Sequence, residues 1–251
     1  MILKNKIPKI SIITVVLNSN KTILETIDSV KRQKYKKNKI EHILIDGGST
    51  DGTLEIIKKN KKNLKYWHSK TDKGIYDAIN LGIKKSTGEI IGILNADDFF
   101  YENTFSIVAK YFYKYNIDYL FGSVIKNRIY HNFFPKKIYY TFNICPAHSV
   151  SFFIKKNAQK KIGEYNIKYK YSADRDLFYR VIKSNLKGMA TKKSEIFGKF
   201  RLNGISSKIS YYETLKEELK VRLNNQNFIV ALLVISLSIV NKIYNHLINK
   251  N

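Results

Sequence analysis

One cysteine, Cys145, in 251 residues excludes an internal disulfide and suits a reducing compartment. Acidic side chains are also scarce: 20 Asp and Glu stand against 45 Lys and Arg, for a net charge of +25. That balance favours acidic partners such as nucleic acid, anionic lipid or a phosphorylated substrate. The lysines of 34–37, 58–62 and 155–156 would equally suit solvated helix faces. Neither Gly-x-Gly-x-x-Gly nor Gly-x-x-x-x-Gly-Lys-[Ser/Thr] occurs, so a dinucleotide fingerprint and a P-loop are both excluded. There is no helix-turn-helix, zinc or RNA-recognition signature, and no nucleic-acid partner is expected although the charge would permit one. Met1 to Lys9 is polar and does not read as a signal peptide. Phe228 to Val240 is thirteen residues without a charge, short of the roughly 20 a membrane span needs.

What is present reads as one sizeable α/β domain, with 44% hydrophobic and 26% charged residues. Lys9 to Leu17 is β-branched and almost continuously apolar, as a buried parallel strand is. Asn18 to Asn20 supply cap chemistry, and Ile23, Ile27 and Val30 follow at helical spacing. A second strand, Ile43 to Ile45, runs into Asp46-Gly47-Gly48-Ser49-Thr50-Asp51-Gly52-Thr53 and a helix with Leu54 and Ile57 on its buried face. Strand, helix, strand, helix in this order predicts a mostly parallel sheet flanked by helices. Asp46 at a strand tip could accept from a base N–H or a ribose hydroxyl; an ordinary Asx turn is the alternative. Asp72 and Asp77 flank the start of a helix whose apolar face is expected at Ile75, Ala78, Ile79 and Ile83, and could be caps or sugar contacts.

The chain is organised around Ile90 to Leu94, an apolar run that ends in Asn95, Asp97 and Asp98. A strand that delivers carboxylates at its C-terminal end is how open α/β sheets place ligand chemistry. Adjacent carboxylates are tolerated when solvated or when Mg²⁺ or Mn²⁺ sits against them. Further on, Phe105, Val108, Ala109 and Phe112 predict a helix, and Tyr119 to Val124 with Arg128 to Phe134 predict a hairpin. Ser172-Ala173-Asp174-Arg175-Asp176 opens another helix, with Leu177, Phe178 and Val181 inward and an Asp176–Arg180 pair on its surface. Arg201 begins a loop with glycine and hydroxyls that could close over phosphate oxygens.

Asp46 to Thr53, Gly74-Ile75-Tyr76-Asp77-Ala78-Ile79-Asn80-Leu81-Gly82, and Gly88 to Leu94 running into Asn95-Ala96-Asp97-Asp98 together resemble glycosyltransferase family 2, most closely its bacterial surface-polysaccharide members. The likeness covers about Lys9 to Ser207 and implies a GT-A fold with a nucleotide-diphosphate sugar at the strand tips. It implies that Asp46 reads the base, that Asn95 to Asp97 form the Asp-x-Asp element, and that Asp97 and Asp98 hold a divalent metal, Mn²⁺ or Mg²⁺. Thr14 and Asn18, in and just beyond the first strand, join Asp46, Asp72, Asp77, Asn95 and His148 as substrate-binding candidates. Asp174 is implied as the catalytic base of an inverting transfer to a saccharide or lipid-linked acceptor. Three positions depart from the pattern: Asn95 replaces the first Asp, Ile79 stands where many relatives carry Arg, and Ala173 replaces the Glu that relatives carry before the base Asp. The transferase domain is expected to run to residue 208. Residues 209–251 form a helical extension, with Leu215, Leu219 and Leu223 aligned on one helix. The extension is expected to attach to an anionic membrane surface on the cytoplasmic side, or else to pack on protein.

Overall fold

The computed structural model describes residues 7–131, 135–142, 149–201 and 209–248. Its core is a seven-stranded sheet. The chain enters through β1 (Ile10–Val16), whose seven residues are all buried. It passes helix α1 (Ile23–Lys31) to β2 (Ile40–Asp46), then α2 (Thr53–Lys59) to β3 (Tyr66–Ser69). Helix α3 (Ile75–Lys85) carries it back to β4 (Ile90–Asn95), on the other side of β1. β3, β2, β1 and β4 are parallel neighbours. This apolar, β-branched set is what a sheet covered on both faces requires.

Beyond β4 lies β9 (Phe152–Lys155), antiparallel to both β4 and β6 (Tyr119–Phe121), and then β10 (Gly188–Ala190), parallel to β6. One strand of seven therefore runs against the rest, and the mostly parallel α/β architecture expected from the sequence is present. A smaller sheet joins β5 (Phe99–Phe100), β11 (Ile196–Lys199), β7 (Ser123–Ile125) and β8 (Ile129–Tyr130). Helices α4 (Thr104–Tyr115), α5 (Lys156–Ile162) and α6 (Ala173–Lys183) complete the domain.

Four local expectations are corrected. The strand read over Tyr119 to Val124 is cut at Gly122 into β6 and β7, which lie in different sheets. A Cβ on Gly122 would fall 2.2 Å from the Phe197 ring, so only glycine lets the chain cross there. The hairpin turn at Lys126-Asn127 is present, with Ile125 opposite Ile129. On α3, Ile75 is exposed, while Tyr76 and Asn80 are buried beside Ala78 and Ile79. The apolar count missed them because each buries a polar tip on a partner: Asn80 exchanges two hydrogen bonds with the Tyr165 backbone, and the Tyr76 ring stacks on Tyr165.

The other two corrections concern the C-terminal helices. Helix α7 (Tyr211–Asn225) buries Glu218, Val221, Arg222 and Asn225, while Leu223 of the expected leucine stripe is exposed. Its buried face is polar because it is paired residue by residue with α6. Glu218 bridges Arg175 and Arg222, Asn225 donates to Asp176, and Gln226 accepts from the Tyr179 hydroxyl. Helix α8 (Phe228–Ile248) runs 21 residues, past the thirteen-residue uncharged stretch, and is long and apolar enough to cross a membrane by length and composition. Only Ala231, Val234 and Ile235 of it are buried.

Candidate active site

The strand order places a switch point at β1: successive units build outward through β2 and β3, and β4 then returns to the opposite flank. Crevices beyond the C-terminal ends of the strands at such a point are where open α/β sheets bind ligands. The tips of β1, β2 and β4 carry Asn18, Asp46 and Asn95-Ala96-Asp97-Asp98.

Asn18 adopts a left-handed φ of 49° and knots two tips together. Its Oδ1 accepts from Thr50 N at 2.9 Å, and its own N–H donates to Ser49 Oγ at 2.8 Å. Asp46 is fully buried; both its oxygens face the Ser49 N–H at 3.2 Å, and they accept from Ser49 Oγ at 2.5 Å and Ser69 Oγ at 2.6 Å. Its carboxylate organises the Gly47-Gly48 turn at the tip of β2. Thr14 is corrected. It lies within the central strand, fully buried, with Oγ1 2.9 Å from His42 Nε2, out of reach of a substrate at the tips.

Across the crevice, the loop before α3 turns on Gly74, at φ 114°. Asp72 accepts from Gly74 N at 2.8 Å and Asp77 from Lys73 N at 3.1 Å. An Asp72 oxygen lies 3.0 Å from where a Cβ on Gly47 would stand, so that glycine admits the carboxylate against the β2 turn. Burial raises the Asp72 carboxyl above its ordinary range, and Asp77 and Asp46 add to that, against the Gly74 N–H.

The β4 tip holds the strongest electrostatic tension. Asp98 is fully buried; it accepts from Arg201 N at 2.9 Å and lies 3.5 Å from Ser149 Oγ. Burial, with Asp97 beside it, pushes its carboxyl up to about 8. These contacts make Asp98 a tie between β4 and the exit of β11, more enclosed than Asp97. Asp97 is half-buried; burial raises its carboxyl, against the pull of its own backbone and of Arg201. The Arg201 side chain bonds to Glu25 on α1 and lies over the Phe99 ring, 5.6 Å from its centre. Among the described residues two buried polar atoms here have no partner: Asn95 Oδ1, an acceptor, and Arg201 Nη1, a donor. Buried polar groups are normally paired with protein, water or ligand, so both are open to an outside partner.

Among the described residues no three His, Cys, Asp or Glu side chains gather into a self-sufficient metal site. Mg²⁺-type cations are commonly held by one or two carboxylates plus substrate phosphates. Asp97 with the orphaned Asn95 oxygen fits that donor set. His148 lies outside the described residues.

Asp174 opens α6. Its Oδ1 accepts from Arg175 N at 2.8 Å and from the Tyr76 hydroxyl at 3.3 Å. Tyr76 is a site residue that sequence reasoning missed. An aromatic hydroxyl in register with Ile79 and Ile83, in the motif that precedes β4, was the available signal. A cavity of about 640 Å³ lies at the other end of the sheet, lined by Thr87, Glu89, Lys155, Lys156 and others. Lys155 is held there by Asn116 and Asp118, and Lys156 by Ser86 O, so that cavity carries no orphaned polar atom.

Residues 11–180 match the model of glycosyl transferase family 2. The chain belongs to this family. It is 34% identical over 182 residues to a PGL/p-HBAD biosynthesis glycosyltransferase of Mycobacterium bovis, covering 69% of each chain. Among solved structures it superposes on S. aureus TarS 1-349 in complex with UDP-GlcNAc at TM-score 0.70 and 18% identity, covering 90% of this chain and 70% of that one. It also superposes on the mannosyltransferase PcManGT of Pyrobaculum calidifontis in complex with GDP-Man and Mn²⁺, at TM-score 0.66 and 16% identity, over 85% and 63%. At these identities the likeness establishes the GT-A fold. Family membership makes the protein a glycosyltransferase.

Proposed function

We propose that this family 2 transferase moves a sugar from a nucleoside-diphosphate donor to a hydroxyl of a saccharide or lipid-linked acceptor, with inversion, in surface-polysaccharide or glycoconjugate synthesis. The observation that carries the reading is the β4 tip, where an acceptor without a donor (Asn95 Oδ1) and a donor without an acceptor (Arg201 Nη1) accompany Asp97. A diphosphate with its counter-cation satisfies both. Asp97 and Asn95 would hold Mn²⁺ or Mg²⁺, which when bound supplies Lewis-acid neutralisation of the departing diphosphate. Arg201 donates to a phosphate oxygen. Asn18, Asp72 and Asp77 shape the donor side of the crevice. Asp174, oriented by the Tyr76 hydroxyl, takes the proton from the acceptor hydroxyl. That oxygen forms the new bond to the anomeric carbon as the bond to the diphosphate breaks, and the electron pair leaves with the nucleoside diphosphate.

Thermal shift with UDP-, GDP- and dTDP-sugars, each with and without Mn²⁺ or Mg²⁺, tests donor binding. A ligand of the folded state at a hundredfold excess over Kd adds ~2.7 kcal/mol of stability. A metal-dependent rise with one nucleotide class is expected; no rise with any class overturns the reading. Asp174→Asn should keep the donor shift and lose ~10²–10⁴-fold in transfer, the usual scale of general-base help. Transfer within a few-fold of wild type would remove Asp174 from the role.

We place the transferase domain at 1–208 and treat 209–251 as its helical extension, with α8 lying on the cytoplasmic face of an anionic membrane. Phe228, Leu233, Leu237, Val240 and Tyr244 are all more than half exposed on α8. At about 100° per residue, its exposed apolar positions sweep roughly 200° of the helix, twice the stripe a packed surface helix needs. The chain's net charge of +25 complements anionic lipid and opposes a second copy. Flotation with phosphatidylglycerol vesicles should carry the full chain, and Leu233→Glu with Leu237→Glu should abolish it. Equal flotation of both proteins would overturn the placement.

A further inference from the structure

The family match ends at residue 180, before α7 begins. Yet α7 grips the chain on both sides of Asp174. Just upstream, the N–H groups of Lys170 and Tyr171 donate to the two oxygens of Glu217, at 2.6 and 2.8 Å. Just downstream, the Arg175 guanidinium pairs with Glu218, which is 2% exposed. Asp176 Oδ1 accepts from Asn225 Nδ2 at 2.9 Å. Glu218 is itself fixed by the fully buried Arg222, which donates to the carbonyls of Tyr139 and Thr141 at 3.1 and 2.8 Å. Residue Ser172, at the N-cap of α6, makes no side-chain cap of its own. The start of α6 is therefore held from outside by α7, whose own start is secured by a Ser210–Glu213 capping box.

We infer that Glu217 and Glu218 of α7 are positioning residues for the base, acting on Asp174 through the backbone of 170–171 and the side chain of Arg175. The inference rests on the reading of Asp174 as base. A buried ion pair is weak evidence of net stability; the Arg175–Glu218 pair ties the start of α6 to α7. Geometry is what proton abstraction needs: the base must come within hydrogen-bond reach of the acceptor hydroxyl, and a misplacement of about 1 Å can cost ~10²-fold. A helix outside the matched domain would thus complete this chain's active site.

Glu217→Ala is the sharpest test, because Glu217 is only half-buried and its partners are backbone amides, so the variant leaves no buried charge unpaired. The assay is release of nucleoside diphosphate from the UDP- or GDP-sugar that raises the melting temperature, with Mn²⁺. Expected are a kcat lower by about 10–100-fold with donor affinity unchanged, and recovery of part of that loss in Glu217→Gln, which retains one of the two acceptor oxygens. In the Asp174→Asn background, Glu217→Ala should add no further loss, because two residues acting through one step are not additive. Amide hydrogen exchange needs no ligand: residues 170–176 should exchange faster in Glu217→Ala while the second half of α6 is unchanged. An unchanged kcat or unchanged exchange at 170–176 overturns the inference. So does an equal further loss on top of Asp174→Asn. If Asp174→Asn itself remains active, the base assignment fails instead, and faster exchange at 170–176 would still mark α7 as the clamp on α6.

Discussion

At the N-terminal ends of the parallel strands, Glu41 is 1% exposed and accepts from Ser11 Oγ, Thr87 N and Thr87 Oγ1, with Lys9 Nζ at 2.9 Å. Burial alone would raise its carboxyl, but these donors hold it down at about 2. At the C-terminal ends, Asp98 is equally buried, and there burial with Asp97 drives the carboxyl up to about 8. One sheet thus treats two buried carboxylates in opposite ways. The difference is supply of donors. Glu41 has a cation and three uncharged donors, whereas Asp98 has one short backbone donor and a like charge next to it. The satisfied cluster clamps strands; the other end leaves Asn95 Oδ1 and Arg201 Nη1 without partners among the described residues.

The largest effect should come from breaking the unsatisfied end. Asp97→Ala is expected to remove the Mn²⁺-dependent part of donor binding and to lower transfer by ~10³-fold, in keeping with the several kcal/mol a Lewis acid supplies, while the apo melting temperature stays close to wild type. Calorimetric titration of donor into wild type and variant, each with and without Mn²⁺, measures it; a variant that keeps the wild-type gain in affinity from Mn²⁺ would remove Asp97 from metal binding. Breaking the satisfied end should do the reverse. Glu41→Ala leaves the buried Ser11 hydroxyl without its acceptor, at roughly 1–3 kcal/mol for a buried donor left unpaired, and frees the exposed Thr87 to water, with donor affinity untouched. Denaturant unfolding of the variant reads the loss, and a change in donor Kd instead of stability would count against it.

Acid should weaken the N-terminal end of the sheet. Burial lowers the His42 imidazole to about 3, so between its ordinary value near 6.5 and 3 the unfolded chain binds the proton that the folded chain refuses. Stability is therefore present above about 6.5 and is lost as pH falls toward 3. Glu41, held at about 2, adds a loss of the same sign below its ordinary value of 4.5. His42→Gln should flatten the upper part of this window in pH-dependent melting; an unchanged slope between pH 6 and 4 would refute the assignment. The smallest effect should be that of Asp98→Asn. With its carboxyl near 8 and neutral at pH 7, an isosteric amide that still accepts from Arg201 N should shift the apo melting point less than Glu41→Ala does. A larger shift would mean that Asp98 is ionised in the folded chain.

Much of the site was legible because it follows from strand tips. The apolar runs of β1, β2 and β4 end where Asn18, Asp46 and Asn95 to Asp98 begin, and the chain order alone predicts a parallel sheet. The roles within those tips were less legible. Asp46, Asp97 and Asp98 are the same residue type in similar tip contexts, yet one braces its own turn, one is half-open and one is tied to a residue 103 positions away. Tyr76 and Asn80 were hidden because an apolar count treats a buried hydroxyl or carboxamide as surface.

The α/β class, the family and the residues that could carry chemistry are written along the chain, since hydrophobic period and local turn chemistry are properties of sequence neighbours. Folding alone brings Glu41 its donors and leaves Asp98 beside Asp97, turns a charged face of α7 inward onto α6, and turns an apolar face of α8 outward. Those outcomes depend on partners such as Arg175 and Glu218, or Asp98 and Arg201, that are distant in sequence and meet only once the sheet has formed.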